Sequence, residues 1–139
     1  MAAAVSPPAS TTSTAAVPRV VAVVAAPVAA LATWVVVTQL LGADLRVSTG
    51  GAPETITALP VLVSSAAAAL AGWGWLALLE RLAPRVATRG WLATAAVVYA
   101  GSLVPVVTGA ADTASLLGVA ALHTVVAGAV AGVLMARRG

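Results

Sequence analysis

Residues 113–136 read TASLLGVAALHTVVAGAVAGVLMA, a stretch whose one ionisable side chain is a histidine, bounded by Asp112 on one side and by Arg137 and Arg138 on the other. A helix rises about 1.5 Å per residue and the hydrocarbon core of a bilayer is about 30 Å thick, so about 20 apolar residues cross it. Three earlier stretches, 20–43, 55–79 and 90–111, are equally long and contain no Asp, Glu, Lys or Arg. The direct reading is an all-α membrane protein, a bundle of four transmembrane helices at about 20–41, 57–79, 91–107 and 114–136 within a domain covering 19–139.

Composition excludes the main alternative. Of the 139 residues 61% are hydrophobic and 8% charged, whereas a soluble domain carries about a quarter charged residues. So few charges cannot cover a small water-soluble fold, and the lipid bilayer is the remaining solvent. Cys, Lys, Asn and Phe are absent and Ile occurs once, as Ile56. These gaps fall on AT-rich codons and point to a GC-rich bacterial genome, while the lack of Cys removes disulfides, thiolate metal sites and palmitoylation. The pI of about 11.2 rests on seven arginines. They stand at the edges of apolar segments with no basic stripe of interleaved aromatics, so lipid headgroups rather than nucleic acid are the expected contact.

Residues 1–18 are rich in Ala, Ser, Thr and Pro and are expected to be disordered. Arg19, the following apolar run and Ala30-Leu31-Ala32 also fit a signal peptide, but the run continues to Leu41, too long for a typical signal core, and an uncleaved first helix is preferred. Six of the seven arginines fall on one side of the four spans: Arg19, Arg81, Arg85, Arg89, Arg137 and Arg138. Arg46 shares the other side with Asp44, Glu54 and Asp112. The excess of arginine places both termini and the 80–90 loop in the cytoplasm, for a multi-pass protein of the bacterial plasma membrane. The 42–54 connection is expected to lie across the outer membrane surface, and Trp91, Trp73 and Trp75 to form an inner aromatic belt. Pro27 and Pro105 are expected to kink their helices.

On the fourth helix Ala120, Thr124, Gly128, Gly132 and Ala136 recur every four residues, with GxxxG at Gly128 and Gly132. Small residues let helix backbones approach, so this stripe is the expected packing face, within the bundle or between two copies, and Leu122, Val126, Val130 and Val133 the lipid face. Ala68 and Gly72 repeat the pattern on the second helix. His123 lies about 14 Å in from the outer end of its helix and Tyr99 about 12 Å in from the inner end of its own. Both are near mid-depth, as are Ser65 and Ser102, so a buried hydrogen-bonded cluster of Ser65, Tyr99, Ser102 and His123 is expected. With no carboxylate beside His123, its plain role is to bridge helices rather than to relay protons. No catalytic, cofactor or metal site is expected, because phosphate loop, nucleophile elbow and HExxH motifs are all missing and the loop acids are remote from His123.

The Gly42-Ala43-Asp44-Leu45-Arg46-Val47 exit with Gly50-Gly51, the Ala71-Gly72-Trp73-Gly74-Trp75-Leu76-Ala77-Leu78-Leu79-Glu80-Arg81 segment, and His123 followed by Val125-Val126-Ala127 resemble an actinobacterial group of four-helix membrane proteins, domain of unknown function 6069. The resemblance covers about 19–138 and implies four helices in a bacterial membrane; it carries no activity. The expected function is non-enzymatic: an interaction, accessory or structural component, in contact with a membrane-protein partner or with its own copies through the fourth helix. The alternative is a small transporter or channel subunit with a polar site around His123.

Overall fold

The structure is a computed structural model that describes residues 16–48 and 50–136. Its elements are α1 (Ala16–Val35, continued by one π-helical turn, Val36–Leu40), a two-stranded hairpin β1 (Arg46–Val47) and β2 (Glu54–Thr55), α2 (Ala58–Leu82), α3 (Ala87–Gly109) and α4 (Thr113–Met135). All four helices are long and apolar enough to cross a membrane. Val24, Val28, Leu59, Val97 and Val104 are among the large apolar side chains that stand on the outside of the bundle, an exterior suited to lipid. Most of the tail expected to be disordered lies outside the described residues, and its last three, 16–18, already belong to α1.

Local chemistry explains where the helices stop. Pro84 drives Ala83 out of the helical region, to φ −146° and ψ 63°, and so ends α2. Pro60 sits in the first turn of α2, where its missing N–H has no helical partner to lose. Asp112 caps α4, its carboxylate accepting the Ser115 N–H at 2.7 Å. α3 starts at Ala87, four residues before the expected position, because Thr88 and Arg89 are good enough helix residues once outside hydrocarbon; charge limits the span and not the helix.

α1 packs along both α2 and α4, and α3 closes the ring more loosely between α4 and α2. The core has two parts. Near the basic end Ala26, Ala69, Leu76, Trp91, Val130 and Leu134 pack together; toward the hairpin Ala30, Leu45, Val61 and Leu122 do. Trp91 is 3% exposed and its Nε1–H donates to the Gly72 carbonyl at 2.8 Å. The inner belt expected of it is therefore corrected: Trp91 is a core residue that fastens α3 to α2. Gly72 is the close approach expected on α2, since a Cβ there would lie 3.2 Å from Val130 Cγ1 and 3.7 Å from Trp91 Cζ2.

The packing face assigned to α4 is also corrected. Gly128 and Gly132 are exposed, and a Cβ on either would meet nothing within 4 Å. The buried residues are Ser115, Gly118, Val119, Leu122, Val130 and Leu134, and of the four expected to meet lipid Leu122 and Val130 are among them while Val126 and Val133 pack against the core. Both faces of α4 are apolar, so neither is excluded from a bilayer, and the bulkier one fits the small residues Ala26, Ala30, Ala69 and Gly72 that α1 and α2 present. Val130→Ala is therefore expected to lower unfolding stability in detergent by about 1–2 kcal/mol, while Gly128→Leu leaves the monomer within about 0.5 kcal/mol. The reverse order would return packing to the small-residue stripe.

Candidate functional site

The hairpin end of the molecule is built around Leu45. The chain leaves α1 through the π turn, where Leu41 N–H bonds the Val36 carbonyl and Ala43 N–H the Val37 carbonyl, and Leu45, 0% exposed, drops between α1 and α4. It sits over Gly118, where a Cβ would overlap Leu45 Cδ2 and stand 3.0 Å from Val37 Cγ1. Ser115, fully buried, holds the strand above: its Oγ accepts the Arg46 N–H at 2.9 Å and donates to the Asp44 carbonyl at 3.3 Å. Ser48 N–H to Gly109 O, Ala111 N–H to Arg46 O and Trp34 Nε1–H to Ile56 O tie the hairpin to the α3–α4 connection and to α1. The 42–54 loop is thus a docked cap. Two exposed side chains of this end, Asp44 and Arg46, form an ion pair at 3.0 Å.

The Ser115 N–H holds the Asp112 carboxyl below the ordinary aspartate value, with a smaller contribution from the charge of Arg46. A lowered folded-state value stabilises the fold above the unfolded value, and that stabilisation is lost as pH falls through the folded one. Asp112→Asn, which still caps the helix, is expected to keep the melting temperature at neutral pH and to lose less of it between about pH 5 and pH 3 than the parent does. Identical acid profiles would remove Asp112 from the cap.

Below the cap α3 stands away from α2. The two helices meet where Trp91 reaches Gly72, and between that contact and Ile56 a groove of about 650 Å³ opens, walled by α2 and α3 and floored by α4. Ser65, Tyr99, Ser102 and His123 all line it, so the four expected residues share one space. They do not form the expected hydrogen-bonded cluster. Ser65 Oγ donates to Val61 O at 2.6 Å, Ser102 Oγ to Tyr99 O at 2.7 Å, and His123 Nδ1 lies 2.9 Å from Val119 O. In apolar surroundings the nearest acceptor for such a side chain is a carbonyl one turn back on its own helix. The cross-helix bond is instead Tyr99 Oη to Thr124 Oγ1, 2.8 Å. Of the residues expected to pack helices, Thr124 is the one that joins two. Trp75 and Trp91 line the part of the groove farthest from the hairpin. Among the described residues no three His, Asp or Glu side chains converge as metal ligands.

Leu45, Ser115 and Gly118 escaped the sequence reading. The available signal was Asp112 followed three residues later by Ser115, a capping pattern at the start of a span, with a single Gly118 one turn further on.

No curated protein and no solved structure matches the chain. Residues 10–139 match a family described as a family of unknown function (DUF6069). The match covers nearly the whole chain, its apolar helices mark a multi-pass membrane protein, and the chain belongs to that family.

Proposed function

We propose that the protein is a non-enzymatic binding component of a bacterial plasma membrane, which receives an apolar molecule from the bilayer in the groove between α2 and α3. The groove itself carries this reading. About 650 Å³ lies within the range of small-molecule sites, and the lining is mostly apolar, with Val and Ala joined by Ile56, Pro60, Leu122, Trp75 and Trp91. A conducting path needs a continuous wet, polar face, and the Ser and Thr hydroxyls here are turned back onto their own helices, which favours binding over the alternative of a channel. Arg81, Arg85 and Arg89 at one end of the bundle support an orientation with both termini in the cytoplasm; a reporter inserted at Gly50 then reads external and one at the C-terminus internal.

The test is quenching of Trp75 and Trp91 by 1-bromododecane in the full chain reconstituted in phosphatidylcholine nanodiscs. Saturable quenching, lost in Ala68→Phe, is expected, because Ala68 lines the groove about level with His123. Quenching that stays linear and is indifferent to Ala68→Phe would remove the reading. The bare stripe of Gly128 and Gly132 favours a second, compatible role in which two copies, or a membrane-protein partner, meet through α4. Cross-linking in a bilayer that is unchanged by Gly132→Leu would dismiss it.

A further inference from the structure

The hydrogens that line the groove are nearly all in use. Ser65 donates to Val61 O at 2.6 Å, Thr94 to Gly90 O at 2.9 Å and Ser102 to Tyr99 O at 2.7 Å. Thr124 Oγ1 donates to Ala120 O at 2.8 Å, so in its 2.8 Å contact with Tyr99 it can only accept, and the phenol hydrogen of Tyr99 is committed as well. The Nδ1 of His123 faces the carbonyl of Val119, which cannot donate; Nδ1 therefore carries the hydrogen, and in the neutral ring Nε2 is left with a lone pair. Trp91 spends its N–H on Gly72 O. The exception is Trp75, about 10 Å nearer the basic end than His123. The groove therefore offers acceptors: Nε2 of His123 at mid-depth, level with Tyr99, and the oxygens of Tyr99, Ser102, Thr94 and Ser65 along the same lining. An alkyl chain alone leaves them without a donor, in a setting where no water replaces it.

We infer that the groove is a binding site for a long apolar molecule whose head is a hydrogen-bond donor, a phenol, with His123 Nε2 as the atom that receives the bond. The inference rests on the groove-binding reading and names its ligand class. The length comes from the walls: Pro60 to Gly72 along α2 spans about 18 Å. The groove is closed at its inner end by the Trp91–Gly72 contact and at its outer end by Ile56 and the hairpin fastened to the α3–α4 connection. A partner helix is about 10–12 Å across and must run the full depth of the bilayer, so these closures obstruct it, whereas a flexible chain fits between them.

The experiment compares 4-dodecylphenol with its methyl ether, molecules of nearly the same shape of which only the first donates, titrated against the full chain in phosphatidylcholine nanodiscs with Trp fluorescence as the readout. The expected result is about fivefold tighter binding of the phenol, the size of one hydrogen bond within a membrane. His123→Phe should bring the two ligands to equal affinity, and His123→Gln, which still offers an acceptor, should restore most of the preference. The wild-type comparison alone suffices if a variant does not fold. Equal saturable binding of phenol and ether to the wild-type protein overturns the donor rule and leaves the groove reading standing; saturable binding of neither overturns both. A preference that persists in folded His123→Phe overturns the assignment to His123.

Discussion

Gly118→Val is expected to destabilise the bundle by about 3 kcal/mol, the upper part of the range for overpacking a tight site, because α4 has no room at this point for even one carbon. A Cβ at Gly118 overlaps Leu45 Cδ2 and crowds Val37 Cγ1, and Leu45 is fully buried on a backbone held in place, with Ile56 N–H on its carbonyl at 2.8 Å and Ser115 on the strand that follows. The substitution therefore has to lift the cap or push α1 off α4. Leu45→Ala should cost about 2–4 kcal/mol by leaving a cavity where a fully buried side chain stood. The decisive measurement is the double variant. In Leu45→Ala the methyl groups that obstruct position 118 are gone, so Gly118→Ala should cost at least about 1 kcal/mol less there than in the parent. Strict additivity in detergent unfolding would mean that Leu45 does not seat on Gly118.

Trp91→Ala should cost about 3–5 kcal/mol, the range for truncating a large aromatic in a core. Trp91 stands between α2 and α4 among Leu76, Val130 and Leu134 and fastens α3 to α2. Trp91→Phe keeps most of the ring and loses the N–H to Gly72 O, a bond worth about 1 kcal/mol within a membrane. The two variants thus separate packing from hydrogen bonding. Because this contact also closes the end of the groove farthest from the hairpin, Trp91→Ala should weaken saturable quenching of Trp75 by 1-bromododecane, and Trp91→Phe should retain it. If both variants unfold like the parent, Trp91 belongs to the interfacial belt that the sequence suggests.

The legible part of the site was its depth. His123, Tyr99, Ser65 and Ser102 fall at similar heights by residue counting, and all four do line one groove. Their bonding was not legible, because a hydroxyl on a helix always has its own carbonyls at hand, and whether it reaches across depends on a neighbour's position to within an ångström. Tyr99 finds Thr124, which the four-residue spacing had placed in a packing stripe. Gly72 and Gly132 look alike in sequence; one lies under Val130 and Trp91 and the other lies bare, and the difference belongs to the helices opposite them.

By itself the sequence determined that four apolar segments form helices long enough to cross a membrane, and that the basic residues gather at one end, because length and charge act segment by segment and need no partner. The tertiary structure alone decided which face of α4 packs, how Leu45 locks the cap over Gly118, and that α3 stands off α2 to open a groove. Helices that are apolar on every side gain nothing from hiding one face rather than another from lipid. Their arrangement is chosen by how side chains distant in sequence fit together and by the few hydrogen bonds, such as Trp91 to Gly72 and Ser115 to Arg46, that reach from one element to the next.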